Sequence, residues 1–417
     1  MKHDELGGPT HGRRGPTRRQ FVVAGIAVTA FSPVAAAFSA SSFGRHAPDG
    51  RVLVVVQLTG GNDGLDTVLP LAQDAWFRAR PNLSRSATGA HDVGDGLALH
   101  PSLGRSAEAL RDGLLTCVHS VGYPDPDRSH FRSMDIWHTG DPAARDGAAR
   151  SSGWLARMAE RAARRGASGP VALYVGDGSL PRSLVGDEGP APSIEDLERL
   201  RVPGGDATRR ALELTYSDDA AGELGFLRRT GREAVALSRR LESASLRGAS
   251  ADWPQDRFAQ HLALVSQLVR SGLGARIYQV ELGGFDTHRD QPVQHAALLA
   301  RLDGALAAFR RELAAAGRDR DVVTLVFSEF GRRVRENASL GTDHGAAGPV
   351  FLLGPSTRGG FVGEVPDLTD LVDGDLPHRV DFRSIYAAIE RDWLGLEGEL
   401  AAEPAPVLAR DLARAPR

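Results

Sequence analysis

The segment RVLVVVQLTGGNDG constrains the fold more than any other part of this chain. An apolar run from Val52 to Leu58, interrupted only by Gln57, ends abruptly in two glycines. A run apolar at consecutive rather than alternate positions predicts a strand buried on both faces, the pattern of a central parallel strand. Similar runs recur in LLTCVHSVG near 114–122, in VALYVGDGS from Val171 and in ARIYQVELGG from Ala275. DVVTLVFSEFG from Asp321 and PVFLLG from Pro349 complete the set, and glycine-rich or polar turns follow these runs.

Helical periods lie between the strands. They are SLGRSAEALRDG, SHFRSMDIWHTG, GWLARMAERAARRG, DRFAQHLALVSQLVRSG and VQHAALLARLDGALAAFRRELAAAG, each bounded by Gly, Ser, Asp or Pro. Alternation of strand and helix predicts a three-layer α/β/α domain with a mainly parallel sheet. The stretch 181–271 breaks the alternation. It is proline-rich first and then charged and helical, and reads as a mostly helical insertion or cap. The expected organisation is a domain built from 51–180 and 272–417, interrupted by that insertion.

The N-terminal residues read differently. Arg18 and Arg19 precede Phe21, an apolar run broken at Pro33, and small residues suited to cleavage near Ala37 or Ala40. This predicts a twin-arginine (Tat) signal peptide over 1–40 and a linker over 41–50. The mature chain would then be periplasmic, in the cell envelope or extracellular, with no transmembrane span. Tat carries folded passengers, so a metal can be loaded before export.

Composition narrows the chemistry. Taking Lys2, Arg13, Arg14, Arg18, Arg19, Asp4 and Glu5 away with the signal reduces the 50 basic and 53 acidic residues to 45 and 51, a net charge of −6. That balance argues against a nucleic-acid or anionic-membrane partner. Lys2 is the only lysine, which excludes a Schiff-base lysine or P-loop lysine from the mature protein. Cys117 is the only cysteine, which excludes an internal disulfide and a thiolate metal cluster. LTGGNDGLDT lacks the G-x-G-x-x-G spacing of a dinucleotide loop and runs into no helix start.

In open parallel sheets functional groups gather at the carboxyl ends of strands. Asn62 and Asp63 follow the first strand, Asp286 and His288 follow the strand from Ala275, and Ser328 and Glu329 follow the strand from Asp321. Asp343 and His344 stand just before the strand at Pro349. Asp286 and His288 alternate on an extended segment, so both side chains point the same way. Carboxylates and imidazoles converging from separate strands suit a divalent ion such as Zn or Mn. Each pair alone also suits a turn or a helix cap.

Together, GGNDGLDTVLP, SHFRSMDIWHTG, GGFDTHRDQ, FSEFGRRVRENASLGTDHGAAGPVFLLG and DFRSIYAAIERDWLG resemble a Tat-exported bacterial family known only as a domain of unknown function (DUF fifteen-oh-one). The resemblance spans nearly all of 51–396. That family is similar to the alkaline phosphatase and sulfatase superfamily, whose members hydrolyse phosphate or sulfate esters at one or two metals. The resemblance implies Asp63, Asp286, His288, Glu329 and His344 as metal ligands, with Asp343 as a secondary candidate. It implies Ser129 as nucleophile at a helix start, where a helix cap is the competing role. Asn62, His130, Arg132, Arg332 and Arg333 are expected to bind substrate or anion. The sequence departs from the superfamily at Phe330, where a histidine is expected, so one or two metal sites stay open.

Two functions follow as expectations. One is a metal-dependent hydrolase of phosphate or sulfate esters acting on a small molecule or an envelope polymer. The other is a non-catalytic envelope-binding or structural protein on the same fold. An exported protein partner fits either.

Overall fold

A computed structural model describes residues 50–142, 152–165, 171–195, 205–216, 235, 252–272, 275–400 and 402–409. The expected signal peptide, almost all of the linker and much of the expected insertion lie outside the described residues. Among the described residues, no helix is long and apolar enough to cross a membrane.

Among the described residues the central sheet has nine strands: β1 (Val52–Thr59), β2 (Leu115–Gly122), β3 (Ala172–Val175), β4 (Ser193–Ile194), β5 (Ile277–Gly283), β6 (Val322–Phe327), β7 (Gly348–Leu353), β8 (Gly360–Val362) and β9 (Val380–Asp381). Their spatial order is β8-β2-β7-β6-β1-β5-β3-β4, with β9 also paired to β2. Neighbours pair in parallel except β7, which runs antiparallel to both β6 and β2. The expected mainly parallel sheet is therefore present.

Side-chain alternation along β1 builds the layers. Val52, Val54, Val56 and Leu58 enter one core with α1 (Gly104–Arg111), α4 (Arg257–Ser271) and α5 (Gln291–Ala315). Leu53 and Val55 enter the other with α2 (His130–Thr139), α3 (Trp154–Arg164) and α6 (Phe382–Ala388). Both faces of the sheet are covered, which is why its strands read as continuous apolar runs. Local signals agree: the Asp256 side chain caps α4 through Ala259 N, and Gly272 and Gly140 end α4 and α2 in left-handed conformations.

The stretch 181–271 packs on this domain at its described ends. Its proline-rich start supplies β4, which pairs with β3. Its last helix, α4, packs Phe258, Leu262, Val265 and Leu268 into the core beside α5. Among the described residues, what stands between them is the helix Gly205–Thr215.

The direction of β7 matters for the site. Parallel β1, β5 and β6 all end at one edge, and antiparallel β7 begins there, so residues just before β7 meet the residues just after the other three.

Candidate metal centre

Glycines shape the edge. Gly60 and Gly61 hold φ values of +117° and +76°, which side chains rarely adopt. A Cβ on Gly60 would lie 2.4 Å from Asp286 N, and one on Gly61 would lie 2.2 Å from the Phe330 ring. The β1 end can therefore lie directly against the segments that follow β5 and β6. On the other side, a Cβ on Gly345 would lie 2.5 Å from the Arg332 backbone, so the 332 and 344 segments run in contact and form an isolated bridge.

This packing gathers one carboxylate and three imidazoles. Ligand atoms of His130, Asp286 and His344 lie within 4.8 Å of one another. Around Asp286 Oδ1 stand His344 Nε2 at 3.0 Å, His288 Nε2 at 3.1 Å and His130 Nε2 at 3.6 Å. The opposite nitrogen of each ring faces an acceptor: His130 Nδ1 is 2.8 Å from Glu329 Oε1, His288 Nδ1 is 3.2 Å from Asp343 Oδ1, and His344 Nδ1 is 2.8 Å from the Arg128 carbonyl oxygen. An acceptor at Nδ1 selects the tautomer protonated there and turns the Nε2 lone pair inward.

Neutral rings held this way aim three lone pairs at a carboxylate oxygen, and His288 Nε2 lies only 3.0 Å from His344 Nε2. Electron-rich atoms this close need a cation among them or added protons. Imidazole nitrogens with a carboxylate oxygen are the donor set of Zn and similar divalent ions, so the residues present fit the expected metal.

Electrostatics favours ionised acids here. Partial burial opposes ionisation of Asp286, but His344, when its ring carries a second proton, and the Arg332 guanidinium outweigh it and hold the carboxyl down at about 2. Asp343 is also lowered, first by the Asn337 amide and then, against some burial, by His288. The Glu329 hydrogen bond raises His130 against its burial.

Several expected residues take other places. Asp63 does not join the cluster: it is fully buried and paired with Arg80 at 2.7 Å. Asn62 is buried too, its amide occupied by Thr67 and by His295 Nε2 at 2.9 Å, so it faces no substrate. Glu329 lies behind His130 and also accepts from Gly60 N at 2.8 Å. Arg332 is not a free anion binder. Its buried guanidinium donates to Gly61 O at 2.7 Å, Thr342 O at 2.6 Å, Phe285 O at 3.0 Å, Gly60 O and Asp286 Oδ1. Arg333 turns outward to the Asp373 carbonyl and Asp375. Phe330 forms the floor under the site, its ring centroid 4.9 Å from that of His130 and 4.6 Å from that of His344.

Ser129 is exposed at the start of α2 and makes no side-chain cap bond, although it occupies the cap position. Arg132 is half-buried in the first turn of α2, in reach of Pro142 O. His130, expected to bind an anion, stands 3.6 Å from Asp286 Oδ1 in the same cluster as His344. The Arg128 carbonyl oxygen that orients His344 had no signal in the sequence, because any residue type offers one.

The fold is thus a three-layer α/β/α domain with a mainly parallel sheet, and His130, Asp286 and His344 at its edge could hold a metal ion. The chain belongs to the family described as Protein of unknown function (DUF1501), whose model matches residues 51–389. No curated protein matches the sequence. Among solved structures the chain is similar to a protein in the alkaline phosphatase superfamily from Vibrio parahaemolyticus, at 10% identity over 97% of this chain and 80% of that one, with a TM-score of 0.40. It is similar to murine ectonucleotide pyrophosphatase / phosphodiesterase 5, at 9% identity over 85% and 97% with a TM-score of 0.41. A third is the PsFucS1 sulfatase from Pseudoalteromonas sp., at 10% identity over 96% and 76% with a TM-score of 0.39. These likenesses are of fold.

Proposed function

We propose that this protein is an exported, divalent-metal-dependent hydrolase of phosphate or sulfate esters. The observation that carries the reading is the convergence of three Nε2 atoms on Asp286 Oδ1, each ring backed at Nδ1 by its own acceptor. Asp286, His130 and His344 would hold the ion, with His288 beside them. When bound, a Zn or Mn ion polarises an ester oxygen and lowers the pKa of a neighbouring hydroxyl or water.

The chain's own residues supply the rest. Glu329 and Asp343 hold the His130 and His288 rings in orientation and keep their Nδ1 protons. Ser129, next to His130 and with its hydroxyl uncommitted to capping, is the nucleophile candidate. The N-terminus of α2 and Arg132 favour an anion beside it. The twin arginine at Arg18 and Arg19 supports export.

A second reading has support in Asp63 and Phe330: the same centre binds an envelope ligand without turnover. Metal analysis of the folded Tat precursor, with a phosphatase, diesterase and sulfatase screen, separates the two. The hydrolase should carry metal and turn over an ester. Asp286→Ala should weaken metal binding on the order of 100-fold or more, and Ser129→Ala should remove turnover while keeping the metal. Bound metal with no turnover supports the second reading, and a wild-type chain that takes up no divalent ion ends both metal-based readings.

A further inference from the structure

We infer that Asp63 has left metal binding and acts with Arg80 as an internal ion pair that positions the ligand segments, so that the centre takes a single divalent ion. This rests on the metal reading above.

Asp63 is committed to donors of the protein itself, and an added ligand bond would have to compete with them. Its Oδ1 accepts from Leu65 N at 3.1 Å, and its Oδ2 accepts from Arg80 Nη1 at 2.7 Å and Gln291 Nε2 at 2.6 Å. Thr342 Oγ1 lies a further 3.2 Å from Oδ2. Leu65 N, Arg80 and Gln291 take three of the carboxylate's about four lone-pair directions, and the single Thr342 proton goes to Oδ2 or to Gln291 Oε1. The pair is wholly buried, and the guanidinium supplies the positive charge that a cation would otherwise bring.

The same bonds reach the segments of Asp286 and His344 and the one that carries Arg332. Arg80 donates its remaining groups to Val334 O and Arg333 O, each at 2.8 Å, beside the Arg332 that grips Asp286. Gln291 Oε1 accepts from Thr287 Oγ1 at 3.2 Å, next to His288, and from Thr342 Oγ1 at 2.8 Å, two residues before His344. Asp63 thus registers the 286–288, 332–334 and 342–344 segments against one another without reaching the ion. It is a positioning residue.

Native mass spectrometry and metal analysis of the full chain loaded with Zn2+ or Mn2+ test this. Wild type should hold one ion per chain. Asp63→Asn should keep that stoichiometry and bind the ion roughly 10–100-fold more weakly. Thr342→Val keeps shape and charge, so it provides a folded variant should Asp63→Asn fail to fold. It should weaken binding about tenfold, and Thr342→Ser, which restores the hydroxyl, should recover it. Two ions per wild-type chain, with one lost in Asp63→Asn, would make Asp63 a ligand and overturn the inference. Unchanged affinity in Thr342→Val would overturn the positioning role. A wild-type chain that binds no ion at all marks the failure of the metal centre itself, a distinct result.

Discussion

Two groups of acidic and imidazole side chains stand close together at the edge of the sheet, and they differ in every respect except residue type. The Asp286 group is open: that carboxylate is 49% exposed, and three imidazoles point lone pairs at it. The Asp63 group is closed. Asp63 pairs with Arg80, Asp66 lies 3.2 Å from His295 Nδ1, and His295 Nε2 reaches Asn62 Oδ1 at 2.9 Å, all buried. In the closed group a guanidinium and an amide answer the Asp63 carboxylate out of reach of solvent. In the open group three imidazoles crowd a half-exposed carboxylate oxygen that accepts from Arg332. The same residue types at strand ends thus stand in opposite surroundings.

The sharpest way to break that contrast is through stability. Arg80→Met should cost on the order of 3–5 kcal/mol, because it strands a buried carboxylate. Asp286→Ala in the metal-free protein should cost about 1 kcal/mol or less, since its partners are solvated or keep other bonds. Arg332 in particular retains four backbone carbonyl acceptors. Urea unfolding of both variants without metal measures this, and equal losses would erase the distinction between the groups.

How far the sequence reveals each group follows from the same difference. The strands were legible because burial on both faces demands unbroken apolar runs, and Asp286, His288 and His344 were legible because they follow or precede those runs directly. Asp63 met the same criterion. Its fate is decided by Arg80, in the residues after a short helix, Asp74–Ala79, and by Gln291 and Thr342, far along the chain. No local pattern announces such a match. Glu329 was found at the right edge but one step behind its expected place, because only the start of α2 brings His130 in front of it. The two-residue strand β4 was hidden by its proline-rich surroundings, since its place depends on pairing with β3 and not on its own propensity.

A second test uses acid. Burial lowers His100, His119 and His138 to about 4 each, so all three are neutral in the folded protein. In the unfolded chain they titrate near 6.5, and below that pH the unfolded state binds the extra protons. Stability is therefore lost as pH falls from about 6.5 toward 4, at roughly 1.4 kcal/mol per unit for each histidine. His130 has the opposite sign, because Glu329 raises it, and offsets part of the loss. Urea midpoints of the metal-free protein between pH 7.5 and 5 should fall steeply. His119→Phe, which keeps the stack on Phe361, should recover about 2 kcal/mol at pH 5. An unaltered slope in that variant would show that His119 does not carry its share of the acid sensitivity.

The smallest effect concerns Glu281, which lies beside Gln57 in the β1–β5 register and shares the field of Glu329. Burial, and then the Glu329 charge, push its carboxyl up to about 7, with the Tyr174 hydroxyl opposing. The folded state thus binds a proton that the unfolded state releases above about 4.5. The protonated form is fully compatible with folding in acid, and stability is lost as pH rises through 7. Glu281→Gln imitates the protonated acid at all pH values. It should leave stability unchanged near pH 4.5 and raise it by about 1–2 kcal/mol at pH 8, read as a shift in the urea midpoint. The same substitution should leave metal affinity unaltered if Glu281 belongs with the closed group. A loss of affinity in Glu281→Gln would move it into the open one.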